Sequence, residues 1–350
     1  MATTLTIILE AQNRISGDLK KVSGDVGKLK LQLDKLTATT AKTATGFTAL
    51  AASMRTANTA GKGLQTTLLA LGGITLFVGV IRTLVEFEQK MAEVRAVTGA
   101  TGDTFDALSD KARELGASTV FSASEAAAGL AFLGRAGFTA DQALGAIEGT
   151  LNLAAAGGLE LARAADIASN VLSAFSINAN EANRVADVLA LTANSANTNV
   201  EQLGDAFKFV GPVAAAFGVS IEDTAAALGT LGNAGLQASL AGTGLRKILS
   251  TLGTPTKKLN DLLKKLGLTF SQVNPDTNKF ADVMQLLADR GIGATDALNV
   301  FGQRGAPAIL AVTSQIGKLQ ELTDGMKDVA GTADTTAKIL TDTLIDFEHG

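Results

Sequence analysis

The chain holds a single histidine, His349, and no cysteine, tryptophan or tyrosine. A Ser-His-Asp triad, a histidine-rich metal site, a thiolate zinc site and a cysteine nucleophile are therefore excluded or confined to the last two residues. Chemistry would have to come from carboxylates, lysines or arginines. Glu114, Glu125, Glu148 and Glu160 are the acids to weigh for glycosidic hydrolysis, which needs two carboxyl groups facing each other across a cleft. Nothing in their spacing pairs them. Gly242-Thr243-Gly244-Leu245-Arg246-Lys247 brings two glycines and two cations together, and at a helix start such a run can present N–H groups to a phosphate. A helix-packing turn with solvated bases explains the same residues. Neither common phosphate-loop pattern occurs despite 37 glycines. The expectation is a non-enzyme, with no catalytic, cofactor-binding or metal-binding residues.

Two segments can bind partners without chemistry. Ile15, Leu19, Val22, Val26, Leu29, Leu33 and Leu36 alternate spacings of four and three, which keeps one apolar stripe on a helix and predicts a coiled-coil seam between copies of the chain. An amphipathic helix packed within its own domain fits the same stripe. Gly17, Gly24 and Gly27 each weaken that helix by about 1 kcal/mol relative to alanine, so it is expected to need a partner. From Gly63 to Ile81 the chain has no charge, and Lys62 and Arg82 flank the stretch. Its length approaches the roughly 20 residues that cross a bilayer. Leu68, Leu69, Leu71, Ile74, Leu76, Phe77, Val78, Val80 and Ile81 would be the inserting residues. Gln65, Thr66, Thr67, Gly72, Gly73 and Thr75 dilute it, so a buried helix and a segment that enters a membrane only in some functional state both remain open. Residues 1–62 carry nine basic residues against four acidic, within an overall charge of −4. The only aromatic in that arm is Phe47, so base stacking is absent and no specific nucleic-acid recognition is expected.

The elements that must position these segments are helices. Aromatics are 4% of the chain and all are Phe, and an alanine-rich composition with so few β-formers reads as all-α. The boundaries expected are a basic helical arm over 1–62 with a short strand at 5–9, a long apolar helix over 63–98, and a multi-helix domain over 99–350. Helix starts are marked by Ser122 with Glu125, Thr139 with Gln142, Asn178 with Glu181, Thr198 with Glu201, and Ser220 with Asp223, each a capping-box spacing. Ends are expected at Gly116, Gly137, Gly157 and Gly158, Gly218, Gly235, Gly253 and Gly267. Short turns make neighbouring helices antiparallel, and runs such as Ala126–Ala128 and Ala225–Ala227 let backbones approach in a compact bundle or a short solenoid. Leu268–Val273 alone looks extended, with a small hairpin toward Phe280.

The run FEQKMAEVRAVTGATGDTFDALSDKAREL from Phe87 to Leu115, followed by GASTVFS and EAAAGLAFLGRAGF, resembles the N-terminal domain of tailed-phage tape measure proteins. LNLAAAGGLELARAADI, the long stretch from ADVLALTANSAN to GTGLRKIL, and LGLTF extend the resemblance over about residues 82–345. The resemblance implies a helical virion protein of the tail lumen or tip. Such proteins set tail length and nucleate tube assembly with tail-assembly chaperones in the host cytoplasm. At infection they leave the tube to help DNA across the host membrane. Tail tube and tail tip proteins would be its partners, beside further copies of the chain. Family members are usually much longer, so an N-terminal part is expected. A membrane-active, pore-forming or envelope-penetrating helical protein is the alternative.

Overall fold

A computed structural model describes residues 73–348, with side-chain placement for 83–340. The chain divides into two units, Met1–Ile81 and Arg82–Gly350, and the packed helices belong to the second. Among the described residues there are fifteen α-helices and no strand, so the molecule is all-α. In chain order they are α1 Gly73–Thr98, α2 Asp103–Ser118, α3 Ala123–Arg135, α4 Ala140–Gly157, α5 Leu161–Ala174, α6 Ala182–Ser195, α7 Val200–Ala216 and α8 Ile221–Asn233. Beyond them come α9 Ala238–Leu252, α10 Lys257–Leu266, α11 Phe270–Val273, α12 Phe280–Arg290, α13 Ala294–Ser314, α14 Ile316–Gly325 and α15 Thr332–Glu348.

Local chemistry explains where these helices begin. Ser122 and Thr139 form full capping boxes with Glu125 and Gln142, and Ser220 accepts from the Asp223 N–H. Two starts differ from expectation. Asn178 opens a single 3-10 turn, Ala179–Glu181, ahead of α6, and Glu181 turns instead to Arg184 at 2.7 Å. The α7 cap is Asn199 rather than Thr198, accepting from the Gln202 N–H at 2.8 Å. The segment expected to be extended, Leu268–Val273, coils into α11. Gln272 there accepts from the Thr269 N–H at 2.9 Å, and Asn278 donates to the carbonyls of Ser271 and Asn274. Polar side chains thus satisfy the backbone locally, and no partner strand is needed.

Helix ends share one device. The N–H of an apolar residue just past the helix reaches back five residues to a carbonyl, as Phe138 does to Leu133, Ile177 to Leu172, Val219 to Ala214 and Leu236 to Leu231, at 2.9–3.1 Å. The residue before it is left-handed: Gly218 has φ 66°, where glycine has no Cβ to strain. Ser176 fills the same position with φ 52°. Gly116 and Gly253 depart from the expected left-handed ends, although Gly253 does close α9 as its C-cap. Gly116 lies inside α2, where a Cβ would come within 2.7 Å of Ala123 Cα, and Gly253 has φ −81° and presses on Phe217. They are packing glycines rather than left-handed stops.

Helices α3, α5, α7 and α9 pack side by side as one layer and α2, α4, α6 and α8 as the other, with consecutive helices folded back across the gap. Close approaches fix the direction within a layer. Gly204 and Gly211 on α7 face Ile167 and Ala174 on α5, both 37 residues earlier, while Gly242 and Gly253 face Ala206 and Phe217, both 36 earlier. A constant offset along a helix pair means the pair is parallel. The unit is therefore a short solenoid of two-helix repeats, each burying the face its neighbour leaves open. At its far end α13 runs antiparallel on α9, with Gly244 against Ala308 and Gly305 against Lys247. α14 covers α8, and α15 returns to lie on α4 and α6.

The repeat also governs the interior. Thr150, Thr192 and Thr230 occupy one place in α4, α6 and α8, all fully buried. Each hydroxyl donates at 2.8 Å to the carbonyl four residues earlier, which removes the cost of burying it without a partner. Leu130, Leu133, Ile147, Leu151, Ile167 and Leu189 fill the space between layers, each contributing about 1.5–3 kcal/mol by burial.

Candidate assembly surface

Of the acids that sequence alone offers for catalysis, three are engaged in structural contacts. Glu125 caps α3, accepting from the Ser122 N–H at 2.7 Å. Glu114 and Glu148 share Lys111, at 3.0 and 3.2 Å, which ties α2 to α4. Burial works against that ammonium, but the two carboxylates hold its pKa above the ordinary lysine value. Glu160 stands at the start of α5 and makes no side-chain cap. Gly242 and Gly244 lie inside α9 against Ala206 and Ala308, so their N–H groups belong to a helix and form no phosphate cradle.

Ion pairs recur from one repeat to the next. Arg163 on α5 binds Asp205 on α7, with Asp166 at 2.9 Å and Glu201 at 3.5 Å beside it. Lys208 returns from α7 to Asp166 at 2.8 Å. Burial alone would lower the Arg163 pKa, yet the Asp205 hydrogen bond and the surrounding charges raise it. On the other layer Arg184 of α6 grips Glu222 of α8 through two nitrogens, at 2.8 and 3.2 Å. Arg135 on α3 reaches Glu93 on α1 at 2.8 Å. The network can position helices, but it sets no base beside a nucleophile and no acid pair across a cleft.

A shallow cleft of about 250 Å³ lies between the start of α8 and the loop before α12, lined by Val219, Asp223, Asp276, Lys279 and Phe280. Burial, more than any neighbouring charge, pushes the Asp223 carboxyl up. No cluster of three potential metal ligands occurs among the described residues.

The positions that sequence analysis selects for partner contact fall only in part within the described residues. The stripe Ile15, Leu19, Val22, Val26, Leu29, Leu33 and Leu36 lies outside them, as do Leu68, Leu69 and Leu71 and the short strand expected at 5–9. Ile74, Leu76, Phe77, Val78, Val80 and Ile81 lie in α1. Among the described residues no helix is long and apolar enough to cross a membrane.

The solenoid is one of the two architectures expected on sequence, and the signal of its repeat is present there. Gly137-Phe138-Thr139, Ser176-Ile177-Asn178 and Gly218-Val219-Ser220 are three copies of one helix-stop, apolar-plug, helix-start junction, 39 and 42 residues apart. Serine in the middle copy hides it from a search for glycine.

A family model for phage-related minor tail proteins matches residues 109–303, from within α2 to within α13, which takes in most of the two-layer stack and the helices that follow it. The chain belongs to the phage-related minor tail protein family. The tape measure protein of Pneumococcus phage Dp-1 is 34% identical over 291 residues, covering 81% of this chain and 25% of that protein. The probable tape measure protein of Escherichia phage P2 is 33% identical over 307 residues, covering 84% of this chain and 37% of that protein. The chain thus spans between a quarter and two fifths of the length of these curated relatives. No solved structure matches it. Membership in this minor tail family gives the chain a structural role in a phage tail and makes it a virion component. The resemblance to tape measure proteins drawn from its segments stands.

Proposed function

We propose that this minor tail protein chain acts as a tape measure protein, or as the N-terminal part of one. In this reading it nucleates tail tube assembly with tail-assembly chaperones, lies in the tail lumen while tube length is set, and leaves at infection to assist DNA passage through the host envelope. It acts by helix packing and contact, with tail tube and tail tip proteins as partners, and not by catalysis. The observation that carries the reading is that similarity to two tape measure proteins covers more than four fifths of the chain. Repeat-to-repeat ion pairs support it, because a rigid solenoid presents fixed surfaces to subunits assembling around it.

The test is tail assembly with and without the protein, using the tube and tip proteins of the same phage. Tubes of one length in its presence, and of scattered length or none in its absence, are expected. Uniform tubes without it overturn the proposal. Spontaneous flotation of the intact protein with liposomes would favour the membrane-active alternative.

A further inference from the structure

Charge is unevenly divided along the solenoid. Residues 103–237, from α2 through α8, hold fifteen Asp and Glu against six Lys and Arg, a net −9. Residues 238–314, from α9 through α13, hold five against nine, a net +4. The two parts also use their cations differently. Lys111, Arg113, Arg135, Arg163, Arg184 and Lys208 all sit in ion pairs. Between Arg246 and Arg304, Lys265 alone among the described residues has a carboxylate partner, Asp296 at 2.6 Å.

The free cations gather on α10. This helix buries Leu259, Leu262 and Leu263 and packs on α13, leaving Lys257, Lys258 and Lys264 exposed on its open side. Lys257 and Lys258 occupy the first turn, the helix end that disfavours cations; no acid lies in that turn, and Asp261, one turn on, is the single acid of the helix against four lysines. That placement is unfavourable within the isolated chain, and an anionic surface from outside would offset it. The counterpart is at the other end of the stack. Asp103 and Asp106 lie exposed and without ion pairs on α2, whose apolar residues Leu108, Ala112 and Leu115 are buried and which packs on α3 and α4.

We infer that the lysine face of α10 in one copy docks on the acidic face of α2 in a second copy. The contact joins unlike patches, so it is head-to-tail, and repetition closes a ring or extends a line. Nucleic acid is the competing occupant; a second copy is favoured because the lysine face and an acidic face that complements it stand on the same chain, at opposite ends of the stack. The interface goes beyond the proposed function and is separate from the apolar stripe Ile15–Leu36, whose association would persist in high salt.

Sedimentation velocity of the full chain at low and high ionic strength tests the inference, the salt-sensitive step being the one read. Self-association is expected to weaken about tenfold or more in high salt. A Lys257→Glu, Lys258→Glu, Lys264→Glu variant and an Asp103→Lys, Asp106→Lys variant should each lose the low-salt association by about the same factor, with unchanged circular dichroism. Mixing the two variants should restore it, because each supplies the face the other lacks. Absence of a salt-sensitive step, association indifferent to both reversals, or failure of the mixture to recover it overturns the proposal. Duplex DNA binding by the wild type that is lost with the lysines, while self-association is unchanged, overturns it in favour of a polyanion site.

Discussion

The carboxylate of Asp187 accepts a hydrogen bond from the N–H of Ala333 at 2.8 Å, joining α6 to the start of α15 across 146 residues of sequence. Its other oxygen accepts from the Gly331 N–H at 2.9 Å. A buried carboxylate thus caps the N-terminus of a distant helix, where free N–H groups and the helix dipole both favour an anion. Asn194, also on α6, adds a bond to Thr336 at 2.8 Å. Asp187→Ala is expected to cost about 1–3 kcal/mol by leaving those amides without a partner. Asp187→Asn, which keeps an acceptor, should cost less. Hydrogen exchange checks the mechanism: α15 amides should exchange faster while those of α7 and α9 keep their protection.

Parallel stacking depends on glycines that no larger residue can replace. A Cβ on Gly242 would lie 2.8 Å from Ala206 Cα and 2.9 Å from its carbonyl carbon, both backbone atoms. Gly242→Ala must push α9 away from α7, at about 1–3 kcal/mol. Gly317 on α14 is the control, since a Cβ there meets nothing within 4 Å and its φ is not positive. Gly317→Ala should be neutral or stabilising by up to about 1 kcal/mol, from helix propensity. Urea titration of both variants separates packing from propensity. Equal effects would mean that close approach is not what α9 requires.

Helix content and most boundaries were legible because they are written in local chemistry. Ser122, Thr139 and Ser220 read as caps and are caps. The stacking offset was not legible, because it depends on which glycine meets which helix, and Gly116 and Gly218 look alike in sequence. One is pressed on Ala123 and the other is a left-handed stop. Leu268–Val273 misled for a related reason. An apolar residue followed by Thr, Phe and Val has strand propensity, but Gln272 and Asn278 recapture the backbone within the turn. The lysine face of α10 could be seen as an amphipathic pattern, but that its cations lack partners could be learned only from the packed helices.

Acid should loosen the solenoid, in a window the carboxylates define. Glu93 sits below its ordinary value of 4.5, chiefly through the Lys90 hydrogen bond and then through Arg135. At Asp166 burial pushes upward, but Lys208, Asn170 and Arg163 together bring it below 3.8. A lowered carboxylate contributes stability that is present above its unfolded value and is lost as pH falls toward the folded one. The melting temperature should therefore begin to drop below about pH 4.5. Both groups are part-exposed, so the drop should shrink in high salt. Asp223 has the opposite sign, because burial raises it. Its ionisation destabilises the fold as pH rises through 3.8 toward the folded value. Asp223→Asn should melt higher than wild type at neutral pH, with the difference vanishing in acid. A wild type and Asp223→Asn pair with the same offset at every pH would refute the assignment.

The stripe from Ile15 to Leu36 lies outside the described residues, and its association must be read in solution. If it joins copies, the chain should self-associate with concentration-dependent sedimentation even in high salt, where the α2–α10 contact is screened. Its three glycines leave a single helix marginal in water, so helicity of the arm should rise with concentration. Leu29→Asp with Leu33→Asp places two charges on the stripe, where desolvation should abolish the salt-resistant association. Residues 99–340 should keep their melting transition, because the helices they form belong to a compact unit of their own, Arg82–Gly350. A wild-type chain that stays monomeric at high concentration in high salt would assign the stripe to packing within its own chain. The two associations are thus separable by salt, one apolar and persistent, the other electrostatic and lost.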